Sequence, residues 1–375
     1  MKRDEMKRLC ARPLRLRENR VWRTYSGGAM MGKWRGRSEA DGQMPEDWMG
    51  STTRAVNAAH PGPADEGLSR IEGAAVGITE DVLLRDLIVQ FPEEMLGAAH
   101  VRLFGAQTAL LVKALDAAER LAIQAHPDRR DAMRYFSSPF GKTEAWYVLA
   151  TREGIEPRPA VLVGFREDMT REKWRRLFET QDIAGMQAAL HRIEVQPGDV
   201  ILLEGGVPHA IGEGCFLIEI QEPTDYTLRV ERVTPRGMPL SDVACHQGAG
   251  FDAMLEMFHY EFLTREETLA RWRKQPRKAK ESADGRIDVL LDAADTPCFS
   301  LLRMRVNGRL LVPSDGGFRL AVVTQGTGTL HAGDDAMTLS QGDCLFIPAG
   351  VRETVWQAEG MTVLLCAPPK TVPQA

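Results

Sequence analysis

Two stretches of this chain share one plan. Gly198-Asp-Val-Ile-Leu-Leu-Glu-Gly-Gly206 and Gly342-Asp-Cys-Leu-Phe-Ile-Pro-Ala-Gly350 each open on Gly-Asp at a turn. Each continues as an apolar strand and reaches a second Gly turn eight residues after the first Gly. A unit that recurs in this way predicts an internal repeat of a small antiparallel barrel. At 375 residues the chain has room for more than one such domain.

The pattern around these stretches is mostly β. Strand-like runs fall at 109–115, 121–126, 146–150, 159–165, 200–203, 215–221 and 227–230, and short strands at turn spacing fill 286–370. Helical periodicity marks inserts at about 80–96 and 169–191. These signals predict a flexible leader over 1–19, a first domain over 20–260 carrying both inserts, a charged linker over 261–285 and a second domain over 286–375.

The composition is that of an ordinary globular chain, with 43% hydrophobic and 26% charged residues. No apolar run approaches the roughly 20 residues of a membrane helix. A net charge of -5 argues against a general nucleic-acid surface. The basic N-terminus lacks the apolar core of a secretory signal. Six scattered cysteines with no CxxC pair fit reduced thiols in the cytoplasm.

Gln124 and His126 stand two apart in a strand-like segment, so they share a face. Lys142-Thr-Glu144 and Gly206-Val-Pro-His-Ala-Ile211 follow downstream. Gln124, His126, Glu144 and His209 together form a ligand set for one divalent metal. The mixture of nitrogen and oxygen donors suits Zn2+. His331 is the only histidine of the second domain, and one histidine does not make a metal site.

Four separated motifs carry a family resemblance: Leu111–Asp128, Gly141–Ala150, Gln196–Gly214 and Ile218–Val230. In this order they resemble the type I mannose-6-phosphate isomerases, zinc enzymes built from cupin (jelly-roll) barrels. The resemblance implies two cupin-like barrels with helical insertions, the first holding one zinc and the second metal-free. It implies a cytoplasmic enzyme that interconverts D-mannose 6-phosphate and D-fructose 6-phosphate through an enediol. Gln124, His126, Glu144 and His209 match the zinc ligands, Lys142 an active-site lysine, Arg229 the arginine placed over the substrate, and Asp225 an acidic residue that moves protons. Lys113 falls in a matching segment and can be structural.

Elementary chemistry fits these roles. A proton must leave a carbon beside a carbonyl while the neighbouring oxygen gains negative charge, which a metal or a fixed cation stabilises. Arg229 cannot lose its proton, which suits it to the enediolate or the phosphate. Lys142 can donate to a sugar hydroxyl, and Asp225 can be the base. Trp48, with Trp22 and Ser51, is a candidate wall of the sugar pocket, in competition with core packing. The chain departs from the family pattern at Ala122, Gly141, Thr143, Leu203-Glu-Gly-Gly206 and Glu231-Arg-Val233. These departures leave two alternatives: an isomerase or epimerase for another sugar or sugar phosphate, and a non-catalytic, sugar-sensing bicupin.

Overall fold

A computed structural model describes residues 3–57, 60–166 and 168–373. The chain is mostly β, arranged in several antiparallel sheets with short helices between strands. In the first half we label eight strands: β1 (Leu111–Asp116), β2 (Gln124–Ala125), β3 (Glu144–Thr151), β4 (Ala160–Phe165), β5 (Leu190–Glu194), β6 (Val200–Leu203), β7 (His209–Ile211) and β8 (Cys215–Gln221). In the second half the eight are β9 (Ser300–Val306), β10 (Arg309–Pro313), β11 (Arg319–Gln325), β12 (Thr327–Ala332), β13 (Asp335–Ser340), β14 (Cys344–Ile347), β15 (Glu353–Ala358) and β16 (Met361–Ala367).

The two sets are wired alike. One sheet runs β6-β3-β8-β1 in the first half and β14-β11-β16-β9 in the second. The other runs β5-β4-β7-β2 and β13-β12-β15-β10. The two Gly-Asp stretches supply β6 and β14, which hold the same place in both orders.

Burial follows from strand alternation. In the first half, Ala114, Ile218, Tyr147 and Val200 sit opposite one another on successive strands. That row faces a core shared with Leu320, Val322, Phe346 and Leu364 of the second half. The intervening residues face inward, where Leu115, Trp146, Val148, Ile201 and Leu217 meet Val161, Val163 and Ile211 of the other sheet. A sheet covered on both faces reads as a near-continuous apolar run, which is why its strands were plain in the sequence.

Two expectations fail. The leader is not flexible over its described part: Arg3–Leu9 is a helix, and Leu9, Cys10 and Leu14 are buried in the core between the halves. Leu14 and Arg15 pair with Phe346 and Leu345 of β14. Several of its basic residues, which resembled a solvated run, are matched by acids, with Arg12 on Asp335 and Arg17 on Asp81 and Glu72.

The expected linker is also built into the fold. Thr264 and Glu267 form a capping box on the helix Arg265–Trp272. Trp272 is buried, and its indole donates to Glu204. Arg273–Lys274 pairs with the edge of β6, and Arg277–Ser282 pairs with Gly285–Leu291. Carboxylates meet several of the charges that suggested a linker: Asp199 faces Arg273, and Asp292 and Asp295 face Arg277.

Helices Leu84–Gln90 and Pro92–Leu96, then Arg171–Thr180 and Ile183–Ala188, fall within the two expected inserts. All six cysteines are buried and unpaired, and burial pushes each thiol up. Among the described residues no helix is long and apolar enough to cross a membrane.

Leu14 is fully buried where the N-terminal segment closes the sheet of the second half. Leu14→Ala is therefore expected to destabilise the chain by about 2–5 kcal/mol, the usual cost of such a cavity. Urea unfolding checks this, and a change near zero would mean the segment is not packed as described.

Candidate metal centre

Three short strands bring the first functional row together. Arg229, on the two-residue strand Leu228–Arg229, lies opposite Gln124 of β2, and Gln124 lies opposite His209 of β7. All three belong to one sheet of the first half. The facing sheet offers Glu144 at the start of β3. It also carries a row in which Trp146, Glu219, Lys113 and Trp48 lie opposite one another on successive strands.

His126, Glu144 and His209 converge between the sheets, with ligand atoms all within 4.8 Å of one another. His126 Nε2 lies 3.1 Å from Glu144 Oε2, and His209 Nε2 lies 3.4 Å from Glu144 Oε1. The Gln124 carboxamide lies 3.4 Å from His209 Nε2, and turning the amide over presents its oxygen instead.

The backbone sets the imidazole tautomers. His126 Nδ1 donates to the Tyr226 carbonyl at 2.8 Å, and His209 Nδ1 donates to the Val207 carbonyl at 2.9 Å. With the proton on Nδ1, each Nε2 keeps its lone pair, the arrangement found behind metal-ligating histidines. Burial, then the Lys142 cation, pushes His126 down to about 3, and burial also lowers His209. Burial opposes ionisation of Glu144, but Lys142, His126 and His209 outweigh it and hold the carboxyl well below its usual range. Two neutral imidazoles, a carboxylate and a carboxamide oxygen form a donor set that fits a divalent ion. The Lys142 ammonium bonds His126 Nε2 at 2.8 Å and also Glu144 Oε2, so positive charge is already drawn to these atoms.

Two glycines make the loop after His126 possible. The backbone of Pro127–Arg129 lies between Gly141 and Gly205. A Cβ at Gly141 would stand 2.8 Å from the Pro127 carbonyl oxygen, and one at Gly205 would stand 2.6 Å from the Asp128 Cα.

A cavity opens beside this cluster, lined among others by Gln124, Lys142, Asp225 and Arg229. Arg229 donates to the Ala244 carbonyl at 2.8 Å, and among the described residues it forms no ion pair, with Asp225 acting on it from farther off. Its two candidate partners are engaged elsewhere: Glu231 by Arg120, and Glu219 by Lys113. Burial lowers the Arg229 pKa, which still leaves an arginine charged. Asp225 accepts from Arg23 at 3.1 and 3.3 Å and from the Val56 amide at 2.9 Å.

Trp48 is a correction. It is fully buried and absent from the cavity wall. Its indole donates to Glu46, and Arg23 and Lys113 lie over its ring. It supports the site from behind, because a fully buried ring outside the cavity lining has no face open to a sugar. Lys113 stands in the wall itself, paired with Glu219 at 3.2 Å and Glu46 at 3.6 Å.

Sequence reading missed Arg23, Tyr25, Glu46 and Glu219, which also line the cavity. Glu219 had a usable signal, a lone carboxylate inside the buried strand Cys215–Gln221. The pairing of Arg23 with Asp225 spans 202 positions and had none.

No family model matches the chain. It is 28% identical over 276 residues to a mannose-6-phosphate isomerase of Streptococcus mutans, covering 72% of this chain and 78% of that protein. It is 25% identical over 257 residues to the mannose-6-phosphate isomerase ManA of Bacillus subtilis, covering 67% and 73%. Among solved structures, the mannose 6-phosphate isomerase of Bacillus subtilis superposes with a TM-score of 0.71 at 22% identity, covering 94% of this chain and 99% of that one. A zinc-bound mannose 6-phosphate isomerase superposes with a TM-score of 0.69 at 18% identity, covering 95% and 99%. These superpositions establish that the fold is shared.

Gly205→Ala is expected to displace the loop after His126 and to weaken divalent-metal binding by about 10- to 100-fold, the range for supporting residues of metal sites. Competition with a chromogenic chelator measures this. Unchanged affinity would mean that the loop does not depend on the close approach at Gly205.

Proposed function

We propose that this chain is a zinc-dependent aldose–ketose isomerase of the type I mannose-6-phosphate isomerase kind. Its reaction is the interconversion of D-mannose 6-phosphate and D-fructose 6-phosphate. On this reading each half is a cupin-like jelly-roll barrel, for which the duplicated strand order is the support. The observation that carries the reading is the buried His126–Glu144–His209 cluster beside a cavity lined by Arg229, which forms no ion pair among the described residues. The relatives named mannose-6-phosphate isomerase supply the substrate.

Charge balance supports a dianionic substrate. The site gathers Arg23, Lys113, Lys142 and Arg229 against Glu46, Glu144, Glu219 and Asp225, so its formal charges cancel. A divalent ion raises the sum to about +2 by formal count, which matches a phosphate dianion.

His126, Glu144, His209 and Gln124 would hold the zinc. When bound, zinc supplies Lewis-acid stabilisation of negative charge on a sugar oxygen. Asp225 takes the proton from C2 of the aldose and returns it to C1, while the hydroxyl proton passes from O2 to O1. Lys142, in hydrogen-bond reach of His126 and Glu144, donates to a sugar hydroxyl. Arg229 stabilises the enediolate or the phosphate as a cation that cannot be discharged.

The deciding experiment is a coupled assay for fructose 6-phosphate formed from mannose 6-phosphate. Chelation should lower activity at least about 100-fold, and added zinc should restore it. A well-folded, zinc-loaded chain without activity would overturn the assignment. Arg229→Met should lower kcat/KM by about 100- to 1,000-fold, the effect of losing one donor at developing charge. A loss of less than about threefold would remove Arg229 from the reaction.

A further inference from the structure

We infer that Arg23 is a positioning residue for the proton-transfer carboxylate Asp225. The inference rests on the isomerase reading above and adds to it a residue from a distant part of the chain.

Arg23 is 7% exposed, yet it stands in the wall of the cavity. Its donors are spoken for. Nε donates to Glu46 at 3.0 Å, Nη1 to Asn57 at 2.9 Å and to the Trp22 carbonyl at 3.3 Å, and Nη2 to both oxygens of Asp225. Its guanidinium lies 4.9 Å over the Trp48 ring. A side chain fixed on so many sides has no free donor to offer a substrate, but it makes a rigid anchor for whatever it holds.

What it holds is Asp225. That residue sits in the loop between β8 and the strand of Arg229, with no regular hydrogen-bond ladder of its own. Arg23 and the Val56 amide are the contacts that fix its carboxylate. Glu46 anchors Arg23 in turn, and Lys113, Trp48 and Tyr25 anchor Glu46. Burial opposes the charge of Glu46, but Arg23 and then Lys113 outweigh it and hold its carboxyl well below the usual range. The result is a continuous buried chain from the sheet wall to the carboxylate that must meet C2.

Arg23 and Arg229 therefore divide their work. Arg229, bonded to the Ala244 carbonyl and without an ion pair among the described residues, is open to an anion. Arg23 is saturated and aims the base. Misplacing a catalytic group by about 1 Å can cost about 100-fold in rate.

A double-mutant cycle on the zinc-loaded chain tests this, using Arg23→Met, Asp225→Asn, the double variant and Arg23→Lys. The readouts are kcat, KM, and exchange of the substrate C2 hydrogen with D2O. Zinc content and thermal melting serve as controls for folding. Arg23→Met should lower kcat and the exchange rate by about 30-fold or more, with KM changed by less than about threefold. In the Asp225→Asn background the same change should cost less than about threefold, because the group it positions is already gone. Arg23→Lys should recover part of the exchange rate.

Multiplying losses in the double variant would overturn the inference. So would a loss carried by KM, or one that follows zinc content or melting. If Arg23→Met does not fold, Arg23→Lys with and without Asp225→Asn closes the same cycle. A wild-type holoenzyme inactive on mannose 6-phosphate would overturn the isomerase reading and this inference with it, whereas an active wild type with multiplying losses overturns this inference alone.

Discussion

The register of three short strands is the constraint on which the site depends. Arg229, Gln124 and His209 face one another only because the strand of Arg229 pairs with β2 and β2 pairs with β7 at these positions. Side chains alternate along a strand, so a slip of one residue would turn all three away from the interior. The strands are too short to fix that register alone. The packing around them does so: Ile123, Ala125, Ala210 and Leu228 point the other way, into a core shared with Trp174, Phe178, Met254 and Leu255 from the helices behind. The helices Arg171–Thr180 and Phe251–Glu256 thus have a task at the site although they supply none of its candidate ligands.

The facing sheet solves a different problem, that of keeping charge in a buried place. Glu46, Lys113 and Glu219 lie on three neighbouring strands, with Lys113 between the two carboxylates and Arg23 as the second cation at Glu46. Removing one member of such a buried set typically costs about 3–5 kcal/mol, because the partner is left charged and unpaired. Apolar residues would pack as well, so stability alone is a weak reason for the set. A wall of fixed opposite charges does offer a polar, water-poor environment whose dipoles need not reorganise when charge develops on a sugar oxygen.

These two sheets also explain what was legible in the sequence. Ligand types at telling spacings, such as Gln124 with His126 and Lys142 with Glu144, are local, and their neighbours Pro127, Gly141 and Gly205 shape a loop readable as a motif. The strands of both halves were visible because their faces are apolar. The leader and the linker were misread for one shared reason. Composition along the chain shows Arg12, Arg17, Arg273 and Arg277 as runs of like charge, whereas each meets its carboxylate across the fold. Trp48 was misplaced for the same reason, since the cations over its ring come from elsewhere in the chain.

The two halves show how little of the site belongs to the topology. By strand order and register, Gln124, Glu144 and His209 correspond to Pro313, Arg319 and Glu353. Pro313 faces Glu353 as Gln124 faces His209, and Arg319 faces the last residue of β14 as Glu144 faces the last residue of β6. A proline offers no ligand atom and an arginine repels a cation, so at these three positions the second half presents one carboxylate where the first half presents three donors. A small cavity nevertheless opens at the matching end, lined by Val312, Arg319, Glu353 and Thr354. The strand order therefore supplies a cavity at this end in both halves, and residue identities at fixed register positions, not topology, gather the donor set in the first. It follows that function in such a chain has to be argued from those positions, because the fold around them is common to a half that carries the donor set and a half that does not.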